Sequence, residues 1–290
     1  MGATGLWARS RLPQRTLLLT PAIAAADFLE PFTRAWRHRE LIRAVARREF
    51  ISRFRGSALG PAWAVLNPLF KMLTYTAVFS YTAPQLAAGK SVTDYASVIF
   101  VGLILFDIFS EMAYRAPMLL HEHVGYVKKS IYPSETIAWT ATIRHFTYGG
   151  IAFLVFLAFR VVTGGALHWT LLFAPFIFAP FAFFILGVVW FLMALGAFTR
   201  DVAHLMASIV PLLMFVTPVF YTLERVPPNI APFLRLNPVG DFIEMLRDIA
   251  IDGRLPNPFG YVALVIVSYL VFLGGYRFFM RYKSVIVDVI

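Results

Sequence analysis

VVTGGALHWTLLFAPFIFAPFAFFILGVVWFLMALGAFT, residues 161–199, contains no Asp, Glu, Lys or Arg. A hydrocarbon core about 30 Å thick is crossed by roughly 20 apolar residues in a helix, so this run is nearly long enough to cross twice. Residues 202–223 and 255–276 are two further uncharged runs of sufficient length. Together these stretches define an all-α polytopic membrane protein.

The rest of the composition agrees. Of 290 residues, 59% are hydrophobic and only 14% charged, with 29 Phe, 12 Tyr and 6 Trp. The mean hydropathy is +0.70. Soluble enzymes, secreted disulfide scaffolds and disordered chains are excluded by this balance. With no Cys, thiolate zinc sites, disulfides and cysteine nucleophiles are excluded too. The net charge of +10 does not point to nucleic acid, because clustered Lys and Arg in a membrane chain set orientation and bind anionic lipid.

Pro, Gly and charge clusters divide the apolar sequence into six expected spans, at 61–83, 95–115, 136–162, 170–198, 204–221 and 258–280. The first three carry Lys71, Asp107, Glu111, Arg144 and Arg160. Arg160 can snorkel to an interface, whereas the deeper charges must face protein or water. Asp107, Glu111 and Arg115 stand at i, i+4 and i+8 on one helix face, which reads better as a self-neutralised patch than as a polar vestibule or proton relay.

Eleven Arg precede residue 61. Arg115, Lys128 and Lys129 follow span two, and Arg277, Arg281 and Lys283 follow span six. The alternate loops are poor in excess positive charge, which puts both termini in the cytoplasm. Residues 1–60 are then a cytoplasmic tail with an amphipathic segment, 61–280 the membrane domain and 281–290 a second cytoplasmic tail. TLLLTPAIAAA at 16–26 imitates a signal peptide, but cleavage there would force the Arg-rich stretch 34–55 outside, against the charge bias.

Three segments do not cross. Between Arg34 and Arg55, Leu41, Ile42 and Val45 share one helical face while Phe50, Ile51 and Phe54 fall on another, so two short helices or a kinked one are expected at the inner interface, Arg toward anionic headgroups. Residues 117–133, PMLLHEHVGYVKKSIYP, form a Pro-bounded polar segment with His121, Glu122 and His123 exposed. Residues 222–257 hold five Pro, with Pro258 just beyond, around an expected helix from Gly240 to Ile251, either dipping into the membrane or capping it from outside.

No catalytic constellation is present: Gly89-Lys90-Ser91 lacks the first glycine of a phosphate-binding loop, and there is no G-x-S-x-G. Tyr75, Phe79, Phe215 and Tyr221, with Phe220, place aromatic rings on spans one and five. Such rings pack against sugar CH faces and could line a glycan path, the alternative being ordinary helix packing.

RREFISRFRGSALGPAWAVLNP (47–68), VGLILFDIFSEMAYR (101–115), TRDVAHLMASIVPLLMFVTPVFY (199–221) and LRLNPVGDFIEMLRD (234–248) occur in one order over about two hundred residues. In this the chain resembles the permease subunits of ABC-2 type exporters of O-antigen, capsular polysaccharide and teichoic acid. The resemblance implies a homodimer of six-span subunits in the bacterial inner membrane, with two copies of a cytoplasmic ABC ATPase. ATP and Mg would be held by that partner, with no cofactor in this chain.

Arg53, Arg55, Gly56 and Ser57 would belong to the interface-helix motif. Glu122, His123, Gly125 and Tyr126 would couple to the ATPase, and Asn237, Pro238 and Arg247 would form part of an external gate of short re-entrant helices. A lipid-linked glycan would be the substrate, and a periplasmic or outer-membrane adaptor a further partner. Lys71 and Asp107 depart from the family pattern, which expects an apolar residue and often Asn there.

Two other functions compete. One is efflux of a lipid or drug by the same architecture. The other is a membrane-embedded transferase of polyprenyl-linked sugar, which needs acids or His aimed from a loop, whereas 222–257 has no His and its acids alternate with Arg.

Overall fold

The computed structural model describes the backbone of residues 21–82, 92–127, 133–223 and 226–290, and the side chains of 28–78, 92–125, 133–223, 226–286 and 290. Among the described residues the regular structure is helical throughout. The helices are α1 (Pro21–Arg37), α2 (Arg39–Ser52), α3 (Trp63–Thr82), α4 (Val92–Arg115), α5 (Leu119–Glu122), α6 (Val124–Val127), α7 (Thr136–Val162), α8 (Ala174–Phe198), α9 (Asp201–Val216), α10 (Ala231–Leu234), α11 (Pro238–Arg247) and α12 (Pro258–Val289).

Residues 1–37 form one unit and 38–290 another. In the first, α1 ends in Arg34 and Arg37, cations that favour a helix C-terminus, and Arg34 pairs with Glu30 at 2.8 Å.

Four helices of the second unit are long and apolar enough to cross a membrane. They coincide with expected spans two, three, four and six, and α12 runs on as helix through Val289. The first and fifth expected spans differ. α3 has 20 residues, but Asn67, Lys71, Thr74, Tyr75 and Thr76 dilute its apolar content, and α9 is a shorter apolar helix of 16 residues.

The core is built on α8. Trp190, Phe181, Ile185 and Leu186 are fully buried, and Trp190 donates its indole N–H to the Glu135 carbonyl at 3.1 Å. Trp139, Phe272 and Tyr276 pack edge-on or tilted around that indole. α8 and α12 approach so closely that a Cβ on Gly275 would lie 2.0 Å from the Gly187 carbonyl oxygen, so only glycine fits at this crossing. The charged ends are tied as well: Lys283 donates to the buried Glu135 carboxylate at 2.6 Å.

Arg160 does not snorkel outward. Its guanidinium turns in to Asp94 in the first turn of α4 and to the Ala166 carbonyl, because an ion pair inside protein satisfies it better than the lipid boundary.

Between Arg34 and Arg55 the helix is broken at His38, upstream of both apolar groups, so Leu41 through Ile51 run in one continuous helix. Within α2, Ile42, Ala46 and Phe50 follow at i, i+4 and i+8 and form one stripe against α7, with Ile42 and Ala46 buried and Phe50 stacked on Tyr148 at 4.9 Å. Ile51 is left exposed. Phe50 thus joins the earlier residues and also packs on the buried Phe54, so that of the expected Phe50, Ile51 and Phe54 group only Ile51 falls outside the packed face.

Candidate functional site

Two polar assemblies lie at opposite ends of the second unit. One gathers α2, α3, α4, α5 and α7. The other gathers α11, the start of α4 and the segment after α9.

The first is centred on Glu49, which α2 presents from the same face as Ile42 and Ala46. Its Oε2 accepts from Arg144 Nη1 of α7 at 2.7 Å, and its Oε1 lies 2.9 Å from His123 Nε2. The other ring nitrogen of His123 lies 2.8 Å from the Leu119 carbonyl. Because both neighbours only accept, both ring nitrogens must carry hydrogen, and the ring is an imidazolium. Burial works against the charged forms of both groups. The His123 hydrogen bond and the Arg144 charge nevertheless hold the Glu49 carboxyl below its ordinary value, and the Glu49 and Leu119 hydrogen bonds hold the His123 ring above its own.

Around this centre the charges of α4 pair outward. Asp107 accepts from Lys71 of α3 at 2.5 Å, Glu111 lies 3.9 Å from Arg53 and 3.8 Å from His145, and Arg115 donates to Glu122 at 2.8 Å. Asp107, Glu111 and Arg115 are thus not a self-neutralised patch. Each reaches a different element, because α3, α7 and the segment after α4 present opposite charges at the matching heights. Lys71, the family departure on α3, is compensated by the other departure, Asp107.

A cleft of about 190 Å³ opens between Lys71, Asp107, Glu111, Arg53, His145 and Tyr148.

Of the expected interface-helix motif, Arg53 lines this cleft. The Arg53 guanidinium lies 5.0 Å over the Tyr148 ring, while Arg55 is exposed. Gly56 has φ +84°, which lets the chain leave α2 in a left-handed turn. Ser57 then accepts from the Trp63 indole at 2.9 Å at the start of α3.

The expected coupling residues divide. Glu122 is exposed and paired to Arg115, and Gly125 faces open space. His123, expected at the surface, turns inward to Glu49 because that carboxylate and the Leu119 carbonyl take both its N–H groups. Tyr126 lies on α6 with its side chain outside the described residues. The segment before it is less polar in place than in sequence, since Leu119 and Leu120 are buried and Pro117 seats against Gly196 of α8.

At the other end, Arg247 is 3% exposed. It donates to the carbonyls of Val98, Pro218, Val219 and Tyr221 at 2.7–3.0 Å and to Glu244 at 2.8 Å. Burial lowers its pKa below the ordinary value, with Glu244 opposing. One guanidinium thereby satisfies the backbone that unwinds after α9 and fixes it to α4 and α11. Asn237 caps α11 by accepting from Val239 N–H at 3.1 Å, Pro238 occupies the first helical position, and the Asn237 amide donates to Thr217 at 2.8 Å. α11 starts at Pro238, two residues before the expected Gly240. Its Phe242 packs on Phe181 of α8, with ring centroids 5.1 Å apart.

Three of the four aromatic residues have described side chains. Tyr75 faces Phe220 at 6.4 Å. Tyr221 donates its hydroxyl to the Phe215 and Val216 carbonyls at 3.2 and 3.1 Å, closing the end of α9. Phe215 itself is 68% exposed. Phe79 lies on α3 with its side chain outside the described residues.

Sequence reasoning missed Glu49, His145 and Tyr148. The signal available was the presence of Arg144 in an apolar span, which demands a carboxylate partner without saying which one.

Among the described residues, a helical body with four membrane-length helices is the architecture of a multi-pass membrane protein. The sequence profile of the ABC-2 type transporter matches residues 40–251, most of the chain, and the protein belongs to that family. It is 25% identical over 235 residues to the O-antigen export system permease protein RfbA of Myxococcus xanthus, spanning 80% of this chain and 88% of that one. A protein of the same name from Klebsiella pneumoniae is 22% identical over 251 residues, 84% of this chain and 92% of its own. The polysialic acid transport protein KpsM of Escherichia coli is 23% identical over 244 residues, 81% and 92% of the two chains.

Proposed function

We propose that this chain is the permease subunit of an ATP-driven exporter of a lipid-linked polysaccharide. The observation that carries the reading is the family match over residues 40–251, together with relatives aligned over most of both chains and named for O-antigen export and polysialic acid transport.

In this reading two copies form the channel and α3 and α9 are the first and fifth of six spans. The Lys71–Asp107 pair supports a crossing α3, because it neutralises the one charge that α3 carries. Phe70, Leu73 and Val78 on α3, with Leu212, Phe215 and Val216 on α9, are exposed apolar residues suited to a second copy and a glycan path. α2, α5 and α6 lie on the cytoplasmic side, where Glu122 and Gly125 are presented to an ATPase that binds ATP and Mg. α11 packs seven residues down α8, about 10 Å, which supports partial re-entry from the outside.

Deletion of the gene in its native cell, with the glycan followed by surface immunoblotting, tests the reading. Loss of surface glycan with lipid-linked glycan retained at the inner leaflet is expected, restored by the intact gene. Unchanged surface glycan would exclude it.

A further inference from the structure

We propose that the cleft between α2, α3, α4 and α7 is a subsite for one neutral sugar unit, held by hydroxyl hydrogen bonds to Asp107, Glu111, His145 and Tyr148. This rests on the polysaccharide-export reading and adds a binding site to it within a single subunit.

His145 is 4% exposed, and its Nδ1 lies 2.8 Å from the Ala141 carbonyl. A carbonyl only accepts, so Nδ1 carries the hydrogen, and Nε2 faces the cleft. Among the described residues neither that Nε2 nor the Tyr148 hydroxyl has a hydrogen bond of good geometry, Arg53 being the charged neighbour of the phenol. Glu111 Oε1 stands 3.8 Å from Nε2, too far for a direct bond. A deep wall formed by the His145 nitrogen and the Tyr148 phenol thus meets an open rim, where Lys71, Asp107, Arg53 and Glu111 have side chains 46–49% exposed.

This wall selects among ligands. Phosphate is an acceptor only and would face two carboxylates at short range, whereas a hydroxyl both donates and accepts. Vicinal hydroxyls can donate to Glu111 and His145 while accepting from Tyr148, Lys71 or Arg53. Pro68 and Ala152, both partly exposed, supply apolar lining for the CH face of the ring. The volume of about 190 Å³ is below that of drug-sized sites and suits one ring instead of a chain. On α4, Asp107 and Glu111 precede Arg115 by eight and four residues, about 12 and 6 Å, which puts the cleft in the inner-leaflet half under the proposed orientation.

The test uses the full-length protein in nanodiscs, with saturation-transfer NMR against the methyl glycosides of glucose, galactose and mannose and against inorganic pyrophosphate. At least one glycoside should give a transfer signal, and Asp107→Asn and Tyr148→Phe should each reduce it at least fivefold with unfolding temperatures within a few degrees of the parent. Absence of glycoside signal, a signal unchanged in both variants, or preference for pyrophosphate would overturn the subsite. Gene deletion separates the two readings: loss of surface glycan without glycoside binding defeats the subsite alone, and glycoside binding with unchanged surface glycan defeats the export reading alone.

Discussion

Nε2 of His123 lies 2.9 Å from Oε1 of Glu49, a residue 74 positions earlier in the chain. The other oxygen of the same carboxylate takes Arg144. One acidic side chain on α2 therefore holds both the segment proposed to meet the ATPase and a membrane-length helix. A displacement of that segment cannot occur without either breaking this contact or moving α2 with it. Under the proposed function, this contact would carry movement of that segment to the membrane domain.

Replacing Glu49 tests the junction. Glu49→Gln leaves Arg144 charged and buried, and breaking such a pair costs about 3 kcal/mol or more, whereas replacing both partners by apolar residues is often neutral. Thermal unfolding in detergent should show a clear loss for Glu49→Gln and substantial recovery for Glu49→Leu combined with Arg144→Met. Equal unfolding temperatures for the parent and Glu49→Gln would show that the pair contributes nothing.

The junction also depends on pH. The His123 pKa is raised above 6.5, so its contribution is complete below that value and is lost as pH rises through the folded-state pKa. Glu49 is lowered below 4.5, so its contribution is complete above that value and is lost as pH falls through the folded-state pKa. Both are fully present between 4.5 and 6.5. The unfolding temperature should fall from pH 6 to pH 9, and His123→Gln should flatten that slope. An unaltered slope in the variant would assign the titration elsewhere.

Arg247 carries a different risk. Lys cannot reproduce a planar fork that serves four carbonyls and Glu244, so Arg247→Lys should leave buried backbone acceptors unpaired at about 1–3 kcal/mol each. Limited proteolysis should then cut within 217–257 faster than in the parent. Identical protection would mean that other contacts hold this region.

Phe215 and Tyr221 should separate in function. Phe215 is exposed, so Phe215→Ala should lower export modestly with little change in stability. Tyr221→Phe removes the hydroxyl that closes α9 and should lower stability by about 1 kcal/mol. Glycan export and unfolding temperature measured on the same two variants decide this, and full export by Phe215→Ala would remove it from the path.

Orientation is open to labelling on a chain that has no native Cys. A Cβ at Gly125 meets nothing within 4 Å, so Gly125→Cys should be tolerated and reactive. An impermeant maleimide should label it in inverted vesicles and not in intact spheroplasts. The opposite pattern would reverse the topology.

The four long apolar helices were legible because the transfer of an apolar run from water is a local property, summed over neighbouring residues. The same holds for the helix start at Asn257-Pro258, where the Asn side chain accepts from an N–H two residues on; Asn237-Pro238 carries the same local signal, two residues before the expected start. Partners across the fold are not local. Arg144 had to find a carboxylate, but choosing Glu49, 95 positions away, depends on how α2 is rotated against α7. That rotation also brought Phe50 into the stripe of Ile42 and Ala46, and with it Tyr148 and the cleft. In the same way, the backbone unwinding after α9 created the carbonyls that Arg247 and Tyr221 now satisfy. Composition determined the solvent each helix would occupy, and only the packed tertiary structure decided which charges meet, because a pairing at 3 Å is set by helix rotation and height that no stretch of sequence specifies alone.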